Sequence, residues 1–98
     1  MQTVRCIQRM INKKVVVTNS VGLHARPATY FIQKANEFKS SIWLEREDRR
    51  VNAKSLLGVL SLGVTKDSEV NIIADGADEQ QAIDFLCEII DKGFVGVI

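Results

Sequence analysis

One histidine, one proline, one tryptophan and two cysteines are all this 98-residue chain has of those types, and each scarcity removes a class of function. A zinc centre needs several Cys or His ligands at close spacing; Cys6 and Cys87 lie far apart, so no metal site is expected. They give no disulfide framework either, and reduced thiols suit a cytoplasmic protein. Thirteen basic and twelve acidic residues leave a formal charge of +1, too little for broad electrostatic binding of nucleic acid or an anionic membrane. No apolar run is long enough to cross a bilayer. The stretch Met1–Met10 is too short and too broken by polar residues for a secretory signal. A glycine-rich nucleotide loop is also missing, so no ATP site and no cofactor are expected.

What is present suits one globular domain. Apolar residues make up 46% and charged residues 26% of the chain, enough for a core that stands without staples. Residues 1–11 read as an N-terminal extension and 12–98 as the domain, with Met10 an alternative start. Three consecutive valines favour a strand over Lys13–Thr18, and Asn19-Ser20-Val21-Gly22 breaks it. From Ala25 onward, Ala28, Phe31, Ile32, Ala35 and Phe38 recur at helical spacing. Ser41–Arg46 alternates, Glu47-Asp48 turns the chain, and Arg49–Asn52 returns. Ser55 is placed to cap a short apolar helix ended by Gly63. Glu69–Ala74 reads as a strand, and Asp78–Lys92 as a helix stopped by Gly93. The order is β-α-β-β-α-β-α. One antiparallel sheet with helices on one face buries these stripes most simply, which makes the fold class α+β.

The chemistry concentrates in Gly22-Leu23-His24-Ala25-Arg26-Pro27-Ala28. Pro27 suits the first turn of a helix, since it lacks an N–H and its φ is already helical. The remaining free N–H groups and the helix dipole then face any anion held there. A neutral imidazole is a nucleophile, and Arg26 offers a forked donor set matched to phosphate oxygens. Gly22 permits a tight entry, and Ala25 and Ala28 leave room for a phosphoryl donor. A lone histidine is more often a plain surface residue, but this setting favours a phosphoryl acceptor.

That segment, together with Val51-Asn52-Ala53-Lys54-Ser55-Leu56-Leu57-Gly58-Val59-Leu60-Ser61-Leu62-Gly63, resembles the HPr family, the histidine-containing phosphocarriers of the bacterial sugar phosphotransferase system. The likeness runs from about Lys13 to about Lys92, with both motifs in order. It implies an open-faced sandwich with strand order 1-4-2-3 and three helices on one face. It also implies a stoichiometric carrier rather than a turnover enzyme. By the resemblance, His24 accepts a phosphoryl group on Nδ1 from phosphorylated enzyme I and passes it to enzyme IIA domains, with Arg26 stabilising the phosphate. Ser55 matches the serine modified by HPr kinase/phosphorylase in Gram-positive-type members, where a transcriptional regulator of catabolite control is a further partner. Leu56, Leu57 and Leu60 match an apolar docking surface. The alternative is a regulatory, catabolite-repression HPr-like protein acting through phospho-Ser55; such relatives typically replace the histidine, often with glutamine.

Two departures and two plainer readings accompany these expectations. Leucines stand where methionine is common, which loses the adaptable thioether, and Val21 stands where serine or asparagine is frequent. At i, i+1 and i+4, the three leucines cannot all point inward, so part of the group is expected at the surface. Glu45–Arg50 reads as a solvated hairpin rather than a paired-carboxylate site. Alternation sends Val16, Trp43 and Ile73 to the sheet face opposite the helices, where they are expected to form one apolar patch covered by the extension or a second subunit.

Overall fold

A computed structural model describes residues 10–97; the expectations for Cys6 and for the segment before Met10 lie outside those residues. Four strands, β1 (Ile11–Val16), β2 (Ser41–Arg46), β3 (Arg49–Asn52) and β4 (Glu69–Asp75), alternate with helices α1 (Ala25–Ala35), α2 (Leu56–Ser61) and α3 (Glu79–Asp91) in the expected succession. The sheet is antiparallel in the order β1-β4-β2-β3. This is the open-faced α+β arrangement that the sequence indicates. β1 is set two residues earlier than the valine run suggests, because Ile11 and Asn12 find ladder partners in Ala74 and Ile73.

Alternation divides the sheet cleanly. Val15, Ile42, Leu44, Val70, Ile72 and Ala74 point toward the helices and are buried in one core. α1 adds Ala28, Phe31, Ile32 and Ala35, and α3 adds Ala82, Ile83, Leu86 and Ile90. Each large side chain taken fully out of water contributes about 1.5–3 kcal/mol, so this interior is the main source of stability. Cys87 is buried with them, and burial pushes its thiol up to about 11, out of reach of ordinary alkylation.

Local chemistry sets the ends of the elements. α3 stops where Gly93 takes φ +68. The Phe94 N–H then reaches the Ile89 carbonyl at 3.1 Å and the Gly93 N–H that of Ile90 at 3.0 Å, a Schellman closure. Asp78, just before α3, accepts bonds from the Lys39 and Ser40 N–H groups at 2.9 Å each and from the Ser40 hydroxyl at 2.5 Å. One carboxylate thus ties the start of α3 to the loop between α1 and β2.

Candidate functional site

His24 is exposed and is the residue that caps α1, with extended backbone (φ −133°, ψ 158°). Its side chain makes no capping bond, so the imidazole is not spent on the helix. Ala25 follows at φ 55, a left-handed turn that an alanine adopts at some cost. Arg26 lies exposed in the first helical turn, and Pro27 is buried beneath it. With no acidic residue in this turn, the dipole and free N–H groups remain available to an anion. The two alanines divide: Ala25 is open to solvent, whereas Ala28 is fully buried, so only Ala25 leaves space above the helix start. A solvent-open hollow of about 450 Å³ beside it is lined by Ala25, Arg26, Thr29, Tyr30, Gln33 and Val97.

The loop that presents His24 is fixed from below. Gly22 sits at φ +63, and a Cβ there would lie 2.3 Å from the Val64 carbonyl oxygen and 2.7 Å from the Thr65 Cα. Its carbonyl accepts from the Asn19 side-chain amide at 2.9 Å, and its N–H donates to the Asn19 carbonyl at 3.2 Å. The Leu23 N–H donates to the Val64 carbonyl at 3.1 Å. Leu23 itself is fully buried, which pins the residue before the histidine into the core.

The second motif is anchored at the other end of α1. The Asn36 amide, at the C-cap of α1, donates to the Lys54 carbonyl at 3.3 Å, and Lys54 Nζ donates to the Phe38 carbonyl at 2.7 Å. Since Val64 meets Leu23 and Lys54 meets Asn36, the two helices lie side by side in opposite senses. His24 and Ser55 therefore stand at opposite ends of the pair, about 16 Å apart by the length of α1. Ser55 caps α2 as expected, its hydroxyl oxygen accepting from the Gly58 N–H at 3.1 Å. Leu57 is 80% exposed and Leu56 is also exposed, while Leu60 is half-buried against the core.

Two arginines escaped the sequence reading. Arg49 donates to the Ser61 carbonyl at 2.6 Å and to its hydroxyl at 3.1 Å, and Arg46 donates to the Leu62 carbonyl at 3.1 Å. Both complement the C-terminal end of α2. The segment Glu45–Arg50 is still the solvated hairpin expected, with Glu47 and Asp48 exposed in the turn between β2 and β3 and Arg50 paired across it with Glu45 at 3.4 Å. Among the described residues, no cluster of His, Cys, Asp and Glu could hold a metal ion, and no helix is long and apolar enough to cross a membrane.

The profile described as "PTS HPr component phosphorylation site" matches residues 11–92. The chain belongs to the HPr family. The HPr-like protein Crh of Bacillus subtilis (strain 168) is 45% identical over 83 residues, covering 85% of this chain and 98% of that protein. The solved HPr-C-His of Thermoanaerobacter tengcongensis is 43% identical with a TM-score of 0.84, covering 86% of this chain and 94% of its own. HPr of Bacillus anthracis (strain Ames) is 38% identical with a TM-score of 0.81, over 83% and 96% of the respective chains. HPr-family proteins are phosphocarriers rather than catalysts, with partners of the enzyme I and enzyme IIA kind, and at that level the assignment holds for this chain.

Proposed function

We propose that this protein carries a phosphoryl group on His24 between phosphorylated enzyme I and sugar-specific enzyme IIA domains. The observation that carries the reading is an exposed, uncommitted imidazole at the N-terminal end of α1, followed two residues later by Arg26. Neutral Nδ1 attacks the phosphorus of the donor phosphohistidine; the new N–P bond forms as the donor's N–P bond breaks, and the donor imidazole leaves. Arg26 and the open N–H groups of the first turn balance the charge of the arriving phosphoryl oxygens. Incubation with enzyme I and phosphoenolpyruvate should give an acid-labile phosphoryl label. His24→Ala should abolish it while changing stability by no more than about 0.5 kcal/mol, as for an exposed side chain. A label that persists in that variant sinks the assignment.

A second reading is favoured by the 45% identity to an HPr-like Crh protein. In it, Ser55 is phosphorylated by HPr kinase/phosphorylase and the modified protein engages a regulator of catabolite control. One chain can serve both uses, because Ser55 lies away from His24 and its charge acts on the neighbouring leucines of the docking surface, so that modification lowers transfer without touching the imidazole. Serine labelling would be acid-stable, would need ATP and the kinase, and would vanish in Ser55→Ala. If acid-stable labelling alone appears and enzyme I leaves no label, the protein is a regulator and not a carrier.

A further inference from the structure

The segment that carries His24 is tied down at both ends by the same neighbouring stretch. Where it leaves β1, the Val17 N–H donates to the Ser68 carbonyl at 2.9 Å, and the Val17 carbonyl accepts from the Asp67 N–H at 2.7 Å. Where it nears the histidine, the Leu23 N–H donates to the Val64 carbonyl. Between these ties stands the turn Asn19–Gly22. Ser20 and Val21 at its centre are exposed, and a valine has no polar group with which to hold a turn. Asn19, by contrast, is only 6% exposed; it and Ser40 are the buried polar residues among those described. Ser40 is accounted for by its bonds to Asp78. Stability does not account for Asn19 in the same way. No donor among the described residues meets its Oδ1, and an idle buried acceptor costs the fold free energy.

What Asn19 supplies is a donor, its amide reaching the Gly22 carbonyl at 2.9 Å. The Gly22 carbonyl and the Leu23 N–H belong to one planar peptide group. That plane is gripped at both ends, by Asn19 on its oxygen and by Val64 on its nitrogen. To turn over, it must break two buried bonds at once. With the Asn19 grip gone it turns more freely, because Gly22 has no Cβ to resist rotation. We propose that Asn19 is a positioning residue for phosphoryl transfer: its side-chain amide locks the Gly22–Leu23 peptide plane and so aims the His24 imidazole. The inference rests on the reading of His24 as the phosphoryl acceptor. The imidazole makes no capping bond of its own, so the ring takes its direction from the backbone that carries it. Attack in line with a breaking N–P bond is sensitive to that direction. Docking through Arg26 and the exposed leucines of α2 is not. Loss of the clamp therefore belongs in kcat rather than in KM.

Asn19→Ala removes the donor without adding bulk. Transfer from enzyme I should fall about tenfold in kcat, with KM changed by less than about twofold. Hydrogen exchange gives a readout that needs no phosphorylation. The Leu23 amide should exchange at least about tenfold faster, while the Ile72 amide in β4 keeps its wild-type rate. A wild-type kcat overturns the proposal. Acceleration of Leu23 and Ile72 to the same degree also overturns it, since Asn19 would then be a stabilising residue only. Asn19→Asp keeps the shape but turns an acceptor toward the Gly22 carbonyl. At about pH 8, where a carboxylate is ionised, it should lose at least as much kcat as Asn19→Ala. Normal transfer by Asn19→Asp overturns the role of the donor, even where the alanine variant does not fold. If the wild-type chain takes no label from enzyme I, the carrier reading is what has failed. Leu23 exchange then decides whether the clamp exists, and unchanged exchange in Asn19→Ala overturns it.

Discussion

At the scale of single residues, the position of His24 depends on a neighbour with no side chain. The GLHARPA motif shows in sequence that a glycine precedes the histidine by two. It does not show that Val64 and Thr65, some forty residues later, leave no room for a Cβ there. The requirement is double, because φ +63 disfavours any L side chain and the carbonyl oxygen at 2.3 Å excludes one sterically. Gly22→Ala should therefore cost about 3 kcal/mol, more than the roughly 1 kcal/mol of backbone preference alone. It should also slow phosphorylation by enzyme I under conditions where the variant is still folded, since Leu23 and His24 would move with the loop. Urea unfolding measures the first effect and labelling kinetics the second. A loss near 1 kcal/mol with normal labelling would mean that the Val64 contact relaxes freely. Ala28 shows the opposite limit of sequence reading. Its small size suggested space for a donor, but helical phase turns it inward, and it serves packing against the sheet instead.

At the scale of elements, α2 shows which controls are written locally and which are not. Ser55 as an N-cap is legible because a capping hydroxyl needs only the N–H three residues on. The arginines at the other end are not, because Arg46 and Arg49 reach Leu62 and Ser61 from a different hairpin. A sequence displays their charges without displaying the carbonyls they meet. This division allows the two roles of Ser55 to be separated by experiment. Ser55→Ala removes the cap and should destabilise the fold by about 1 kcal/mol, while Leu56 and Leu57 stay exposed and transfer stays fast. Ser55→Asp keeps a capping oxygen and adds charge beside those leucines. It should fold as well as the wild type yet slow transfer by roughly tenfold, about 1.4 kcal/mol of lost docking. A phosphate, with about −2 charge, would act more strongly in the same direction. Wild-type transfer by Ser55→Asp would show that partners do not dock over the start of α2. The 16 Å or so between Ser55 and His24 makes this an effect on docking rather than on the imidazole itself.

At the scale of the whole molecule, the order of elements, the shared face of the helices and the sheet order were legible because periodicity and turn residues are local and the family pattern is strong. The exact pairing of strands was not. Alternation placed Val16, Trp43 and Ile73 on one face, but only register shows that Glu69 faces Val16 and splits the expected patch. The same limit hid Asp78, which closes the loop before β2 across 38 residues of sequence. Bonds from the Ser40 hydroxyl, then from the Lys39 and Ser40 N–H groups, lower its pKa from 3.8 to about 2. A lowered folded-state pKa means that the ionised form stabilises the fold. Its contribution is fully present above the ordinary carboxylate range and fades as pH falls from about 4 toward 2. Asp78→Asn should melt a few degrees lower than the wild type at neutral pH, because a neutral amide holds the three donors less well. On acidification the difference should shrink below pH 4 and be lost only below pH 2, as the wild-type carboxylate takes up its proton. Glu88, whose pKa is lowered by its hydrogen bond and charge attraction to Lys92, titrates in both proteins, so the difference between the two melting curves isolates Asp78. A gap that stayed constant from pH 7 to pH 2 would show that the substitution acts through packing and that the carboxylate charge is not what holds α3 to the loop.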